Sequence, residues 1–283
     1  MKRKELLNKL TSLIAPSDRS GDDARQILTH VLNISHADLL AHDDKDVSLF
    51  QKSRAIRMAK ARSRNTPMAY LLGSRSFFGR QFAVNDHSLI PRPETEIMVE
   101  ESVALSDDNS MFIDVGVGSG AIAITLNLET SRPVIGTDIS KRALKIAKKN
   151  AHKLKAQVDF HEGSLLEPIW PNELKRYERV VITANLPYLS EDMWKTSPDE
   201  VKDYEPKVAL VSDASDGLDL YRELMMQINS RRDELPKELF VLLEIDPRQD
   251  KLIKPMLGEV APGVSFEIKN DLAGKPRVVI LTF

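Results

Sequence analysis

The sequence predicts an α/β protein: a doubly wound, mostly parallel sheet that ends in an antiparallel hairpin, preceded by a small N-terminal helical domain. Three observations carry this prediction. Up to about Gly73 the apolar residues recur at helical spacing; from Met111 onward short apolar strands alternate with helices; and the last two strands are joined by a connection too short to hold a helix. The 283 residues are 42% hydrophobic and 29% charged, which excludes a disordered or collagen-like chain. The absence of cysteine excludes disulfides, Cys-ligated zinc, iron–sulfur clusters and a thiol nucleophile. The 6 histidines have no metal-ligand spacing, so no metal is expected. No apolar run is long enough to cross a membrane, and Met1-Lys2-Arg3-Lys4-Glu5 opens no signal-peptide core. A cytoplasmic protein with no membrane partner is therefore expected.

In the N-terminal domain, Leu6, Leu7, Leu10, Leu13 and Ile14 share one helical face. Ser20 or Asp22 is positioned to cap a second helix carrying Ile27, Leu28, Val31 and Leu32, and Ser35 to cap a short third. From Ser76 to Val84 the pattern is that of a β-hairpin around Gly79. These features divide the chain into a helical domain over 1–73, a hairpin linker over 74–91 and an α/β domain over 92–283. In the last of these, a helix near 94–105, a strand over Met111–Val115, a helix over 120–128 and a strand at Pro133–Asp138 form a β-α-β unit. Further elements are a helix over 140–154, strands over 157–160 and 179–183, a long loop, a helix over 217–229 and a strand at Leu239–Glu244. Val264–Ile268 and Arg277–Leu281 then pair antiparallel.

The net charge of -2 conceals an asymmetry: residues 1–90 carry 15 basic against 9 acidic side chains, the remainder 25 against 33. Lys52, Arg54, Arg57, Lys60, Arg62 and Arg64 form the densest basic stretch, which reads either as a grip for nucleic acid or an acidic protein, or as a solvated helix face.

Two loops carry chemistry. Gly116-Val117-Gly118-Ser119-Gly120 lies between a strand and a helix, where missing β-carbons and free N–H groups admit a nucleotide-like ligand. Asp138, at the end of the next strand, can accept both ribose hydroxyls. The run also satisfies a dinucleotide pattern through Ala121, so NAD is one reading. Asp114, two residues before the first glycine, and the antiparallel ending favour S-adenosylmethionine, whose charged amino-acid end makes a nearby acid useful.

The second loop, Asn185-Leu186-Pro187-Tyr188, follows a strand whose C-terminus faces the ligand crevice. It suits methylation of a planar amide or aryl amine, whose delocalised lone pair makes nitrogen a poor nucleophile. The Asn185 side-chain oxygen and the Leu186 carbonyl can accept two N–H bonds and hold nitrogen in line with the methyl group. Pro187 fixes the turn, and Tyr188 offers a stacking face.

With these residues the chain resembles the release-factor glutamine methyltransferases (PrmC/HemK), a branch of the Asn-Pro-Pro-Tyr-type methyltransferases. The resemblance spans nearly the whole chain. It rests on Pro67–Gly73, Phe77-Phe78-Gly79, Leu89-Ile90-Pro91-Arg92-Pro93-Glu94-Thr95-Glu96, Tyr204–Leu210, Asp216–Tyr221, Leu243-Glu244-Ile245 and Asp271–Gly274. It implies a Rossmann-like methyltransferase sheet, S-adenosylmethionine as cofactor, and a peptide-chain release factor as partner, methylated on the side-chain amide of its Gly-Gly-Gln glutamine. It implies that the helical domain binds the body of that substrate. It further implies that Gly116 to Gly120 cradle the methionine part and Asp138 the ribose, that Ser164 and Leu165 flank adenine, and that Asn185 to Tyr188 grip the glutamine. Arg92 and Glu94 would order the site or the substrate loop. Three positions depart from the family pattern: Leu186 replaces proline, Ser164 an acid, and Asp246 a glycine. Other readings are a methyltransferase acting on the exocyclic amine of adenine in RNA or DNA, with the basic helix holding phosphates, and a binding module without turnover.

Overall fold

The computed structural model describes residues 1–15, 19–169, 174 and 177–283. They fall into two units: Met1–Ser74 with Pro198–Tyr204, and Arg75–Ser197 with Glu205–Phe283. Among the described residues no helix is long and apolar enough to cross a membrane.

The first unit contains α1 (Arg3–Ile14), α2 (Ser20–Leu32), α3 (His36–Ala41), α4 (Leu49–Arg62) and α5 (Met68–Leu72). Their apolar faces meet in a core of Leu6, Leu10, Ile27, Leu28, Leu39, Ala55 and Ala59. Ser35 accepts from the Asp38 N–H, capping α3 as expected. The expected cap of α2 is different: Ser20 and Asp22 lie inside its first turn, Arg19 occupies the N-cap without a side-chain bond, and Asp22 and Asp23 instead place negative charge near the helix N-terminus. The basic helix α4 is partly structural. Arg62 pairs with buried Asp23 at 2.7 Å and with Glu200 at 2.8 Å, and Arg54 hydrogen-bonds His30 at 3.0 Å.

The second unit opens with the hairpin β1 (Ser74–Phe77, its first residue the last of the stretch Met1–Ser74) and β2 (Arg80–Ala83), turned by Phe78 and Gly79, both at positive φ. Phe77 and Phe82 are fully buried and meet edge to face at 6.1 Å. There follow α6 (Glu96–Ala104), β3 (Ser110–Val115), α7 (Ala121–Thr130), β4 (Val134–Asp138), α8 (Lys141–Leu154), β5 (Val158–Glu162), β6 (Arg179–Ala184), α9 (Glu191–Lys195), α10 (Asp199–Tyr204, in the first unit), α11 (Asp219–Ser230), β7 (Glu238–Glu244), α12 (Asp250–Val260), β8 (Ser265–Asn270) and β9 (Pro276–Thr282). The stretch expected as a long loop thus holds two short helices. The helix α12, which no expected element covers, has Pro255 in its interior, but buries Ile253, Met256 and Leu257 at helical spacing.

The seven-stranded sheet has the order β5-β4-β3-β6-β7-β9-β8. The first five pair in parallel, and β9 runs antiparallel to both β7 and β8. Side-chain alternation splits the core in two. Ile113, Ile182 and Leu243 face the cluster that includes α11 and α12, while Phe112, Val181 and Leu242 face the cluster built on α6, α7 and the hairpin.

Candidate active site

The chain after β3 runs out to β4 on one side, and the later strands β6 and β7 lie on the other, so the sheet order reverses between β3 and β6. A crevice opens outside the carboxyl ends of parallel strands at such a point. The loops leaving β3 and β6 are the two singled out in the sequence. Between them lies a cavity of about 620 Å³, lined by Arg92, Thr95, Gly116, Val117, Gly118, Ser119, Asp138, Ser164, Leu165, Asn185, Leu186 and Pro187 among others.

The glycine loop is shaped by its own backbone. Gly116, Gly118 and Gly120 have φ of +79°, +55° and +84°, a region open to glycine at little cost. The N–H groups of Gly116 and Val117 donate to the Thr137 carbonyl, and that of Gly118 donates to Asp138 Oδ2 at 2.8 Å. The other Asp138 oxygen accepts from the Ser140 N–H at 2.7 Å. Burial pushes the Asp138 carboxyl up, and these two N–H groups partly offset it. Each oxygen retains acceptor capacity toward the cavity.

Asp114 lies behind this loop rather than in the crevice. It is 1% exposed and does not line the cavity, accepting instead from the Ala123 N–H of α7 and the Thr183 hydroxyl of β6. Full burial pushes it up to about 7. The acid expected to serve the charged end of a ligand is therefore a brace between a helix and a strand. Gly120 also stays out of the cavity lining: a β-carbon there would lie 2.7 Å from Ile124 Cδ1 and 3.2 Å from the Ala147 backbone, so glycine permits α7 and α8 to approach.

The Asn185 loop is held by residues distant in sequence. The Asn185 Nδ2 donates to Thr95 Oγ1 at 3.4 Å. The Tyr188 hydroxyl donates to Glu244 Oε1 at 3.2 Å, and its ring is turned to that buried carboxylate and does not line the cavity. The Tyr221 hydroxyl donates to the Glu244 carbonyl, and the Leu186 backbone N–H is directed at its oxygen. Gln249 Nε2 donates to the Tyr188 carbonyl at 2.9 Å and to the Asp216 carbonyl at 2.8 Å. Asp246 accounts for its presence here: it caps the turn carrying Gln249, accepting from the Arg248 N–H, while Gln249 Oε1 accepts from the Asp246 N–H. Thr95, Glu205, Gly217, Glu244 and Gln249 have no role in the sequence reading. Several sit in the motifs that carry the family resemblance, the one signal that marked them.

Arg92 lines the cavity and pairs at 2.6 Å with the buried carboxylate of Glu205, whose other oxygen accepts from the Ile90 N–H. Glu94 is exposed on the turn that follows, Pro93–Thr95, and does not line the cavity. Leu165, at φ +47°, packs into the core while bordering the cavity, and its carbonyl accepts from the Thr137 hydroxyl at 2.7 Å.

The strand order with an antiparallel β9, the glycine loop and the carboxylate ending the adjacent strand define a methyltransferase of the doubly wound class, and residues 112–204 match the family model of a methyltransferase domain. Residues 5–73 match that of the PrmC N-terminal domain. The chain is 35% identical over 283 residues to the release factor glutamine methyltransferase of Bacillus subtilis (strain 168), covering 97% of this chain and 96% of that one. It is 38% identical over 262 residues to that of Neisseria gonorrhoeae (strain ATCC 700825 / FA 1090), covering 91% and 92%. The chain belongs to the release factor glutamine methyltransferase family. Among solved structures, the hMettl16 catalytic domain in complex with MAT2A 3′UTR hairpin 1 superposes with a TM-score of 0.58 at 14% identity, over 87% of this chain and 84% of that one. A methyltransferase from Pyrococcus furiosus gives 0.53 at 14% identity, over 73% and 90%. These two likenesses concern the fold alone.

Proposed function

We propose that the protein transfers a methyl group from S-adenosylmethionine to the side-chain amide nitrogen of the Gly-Gly-Gln glutamine of a peptide-chain release factor, in the cytoplasm, with the helical domain binding the body of that substrate. The observation that carries this reading is the abutment of the two loops. A β-carbon on Gly116 would lie 2.9 Å from Leu186 Cδ2 and 3.4 Å from the Asn185 carbonyl oxygen. A group held over the glycine loop is therefore next to whatever Asn185 grips. The family membership and the names of the relatives support the substrate.

The residues of the cavity fit the cofactor: Asp138 has spare acceptor capacity for two hydroxyls, the glycine loop exposes backbone, and Ser164 and Leu165 offer a polar and an apolar flank. When bound, S-adenosylmethionine supplies a methyl group activated by an adjacent sulfonium. The protein orients its acceptor. Asn185 Oδ1 and the Leu186 carbonyl accept the two amide N–H groups, stabilising the positive charge that develops on nitrogen. Only the Leu186 carbonyl is used, so leucine in place of proline leaves the chemistry intact. Tyr188 holds the loop from behind, and Arg92, through Glu205, fixes the segment at the cavity rim. Transfer of labelled methyl to a purified release factor, with that glutamine replaced in a control and ribosomal RNA in parallel, tests the reading. Label that requires the glutamine is the expected result; label on RNA alone overturns it.

A further inference from the structure

Behind Asn185 lies a buried polar chain that the proposed reaction does not itself use. Thr95 is 3% exposed and Glu244 1%. The Thr95 hydroxyl receives the Asn185 amide at 3.4 Å, and the Tyr188 hydroxyl reaches Glu244 Oε1 at 3.2 Å. Of the groups facing the Glu244 carboxylate, the Tyr188 hydroxyl donates a hydrogen bond, the Thr95 hydroxyl lies alongside, and Arg277 and Arg92 contribute positive charge. Burial pushes Glu244 up, and these four groups favour its charged form. Its Oε2 lacks a partner of full hydrogen-bond geometry among the described residues, and a buried acceptor left unsatisfied is costly. The Thr95 hydroxyl is the uncharged donor placed to supply it.

We propose that Thr95 and Glu244 are positioning residues that decide which way the Asn185 amide faces. The inference rests on the reading in which Asn185 accepts an N–H of the substrate amide. A hydroxyl has one proton. A carboxylate can only accept, so it draws that proton toward itself and leaves the Thr95 oxygen as an acceptor. Asn185 must then present its NH2 group to Thr95, which turns Oδ1 toward the crevice. The opposite orientation would set Asn185 N–H groups against substrate N–H groups, donor against donor. The specificity of the site for an amide that donates is thus fixed one hydrogen bond away from the residue that touches it.

The test uses the full chain with S-adenosylmethionine and a release factor, and compares Thr95→Val, Thr95→Ser, Glu244→Gln and Asn185→Ala by kcat, KM for the release factor and cofactor Kd. Thr95→Val and Glu244→Gln are expected to lower kcat by about tenfold or more, with the cofactor Kd within about twofold of the parent. Thr95→Ser keeps the hydroxyl and is expected to retain kcat to within about threefold. A parental kcat in Thr95→Val, or a loss in Thr95→Ser as large as in Thr95→Val, overturns the proposal. If Glu244→Gln does not fold, the two Thr95 variants decide alone. Full activity in Asn185→Ala overturns the underlying reading; an inactive Asn185→Ala beside a fully active Thr95→Val overturns this inference only.

Discussion

The glycine loop after β3 and the Asn185 loop after β6 leave neighbouring strands at the same end of the sheet, yet they are held by different kinds of contact. The first keeps its shape through three positive-φ glycines and through partners close by, Thr137 and Asp138, on the adjacent strand. The second depends on side chains 90, 56 and 61 residues away, those of Thr95, Glu244 and Gln249. A loop whose geometry is written in its own backbone is vulnerable to substitution within itself. A loop held by a long-range network is vulnerable at positions far from it in the chain.

The largest test of that contrast is Gly217→Ala. A β-carbon there would lie 2.0 Å from the Tyr188 carbonyl oxygen and 2.7 Å from Gln249 Nε2, at φ +74°. A loss of about 4 kcal/mol or more in urea denaturation is expected, and parental stability would show that the Asn185 loop is not clamped there. Next comes Asn185→Ala, expected to reduce kcat by on the order of 10²- to 10³-fold, with cofactor affinity little changed. Asp138→Ala should act in the opposite sense, weakening cofactor binding by roughly tenfold or more with a smaller effect on kcat at saturation. Calorimetric titration checks this, and unchanged affinity would remove Asp138 from the ribose.

The smallest effect is a pH slope. Asp114 is pushed up to about 7 by burial, against about 3.9 in an unfolded chain. The folded state therefore holds this proton more tightly. The resulting stabilisation is fully present below about pH 4 and fades as pH rises through about 7. Asp114→Asn should flatten the dependence of the urea midpoint over that interval. A residual slope of the same sign is expected from Asp138, whose burial shifts it in the same direction. An unchanged slope in the variant would mean that Asp114 is not the titrating brace between α7 and β6.

Most of the fold could be read along the chain, because its elements are marked by local periodicity. The apolar run at Met111–Val115, the helical spacing in α1 and the short 270–276 connection each carry their own signal. Helix α12 carries no such signal because Pro255 hides a regular apolar face, and α9 and α10 carry none because each is too short to show a period. Within the site, the glycine loop, Asp138 and Asn185 stand in contiguous motifs at strand ends. Glu244 stands in the sequence as the end of an apolar strand and within the Leu243-Glu244-Ile245 motif of the family resemblance, and nothing in its neighbours indicates that its carboxylate meets Tyr188. Asp114 shows the converse: its place beside the first glycine suggested a ligand contact, but alternation along β3 turns its side chain into the protein.

The sequence by itself determined the class of sheet, the two loops and the chemical character of each, since turns, strand ends and glycine conformations follow from interactions between near neighbours. Only the tertiary structure decided which residues support those loops. Burial of a carboxylate, the fit of Gly217 under the Tyr188 carbonyl and the pairing of Arg92 with Glu205 each depend on packing that brings distant segments together, and such packing leaves no local pattern in the chain.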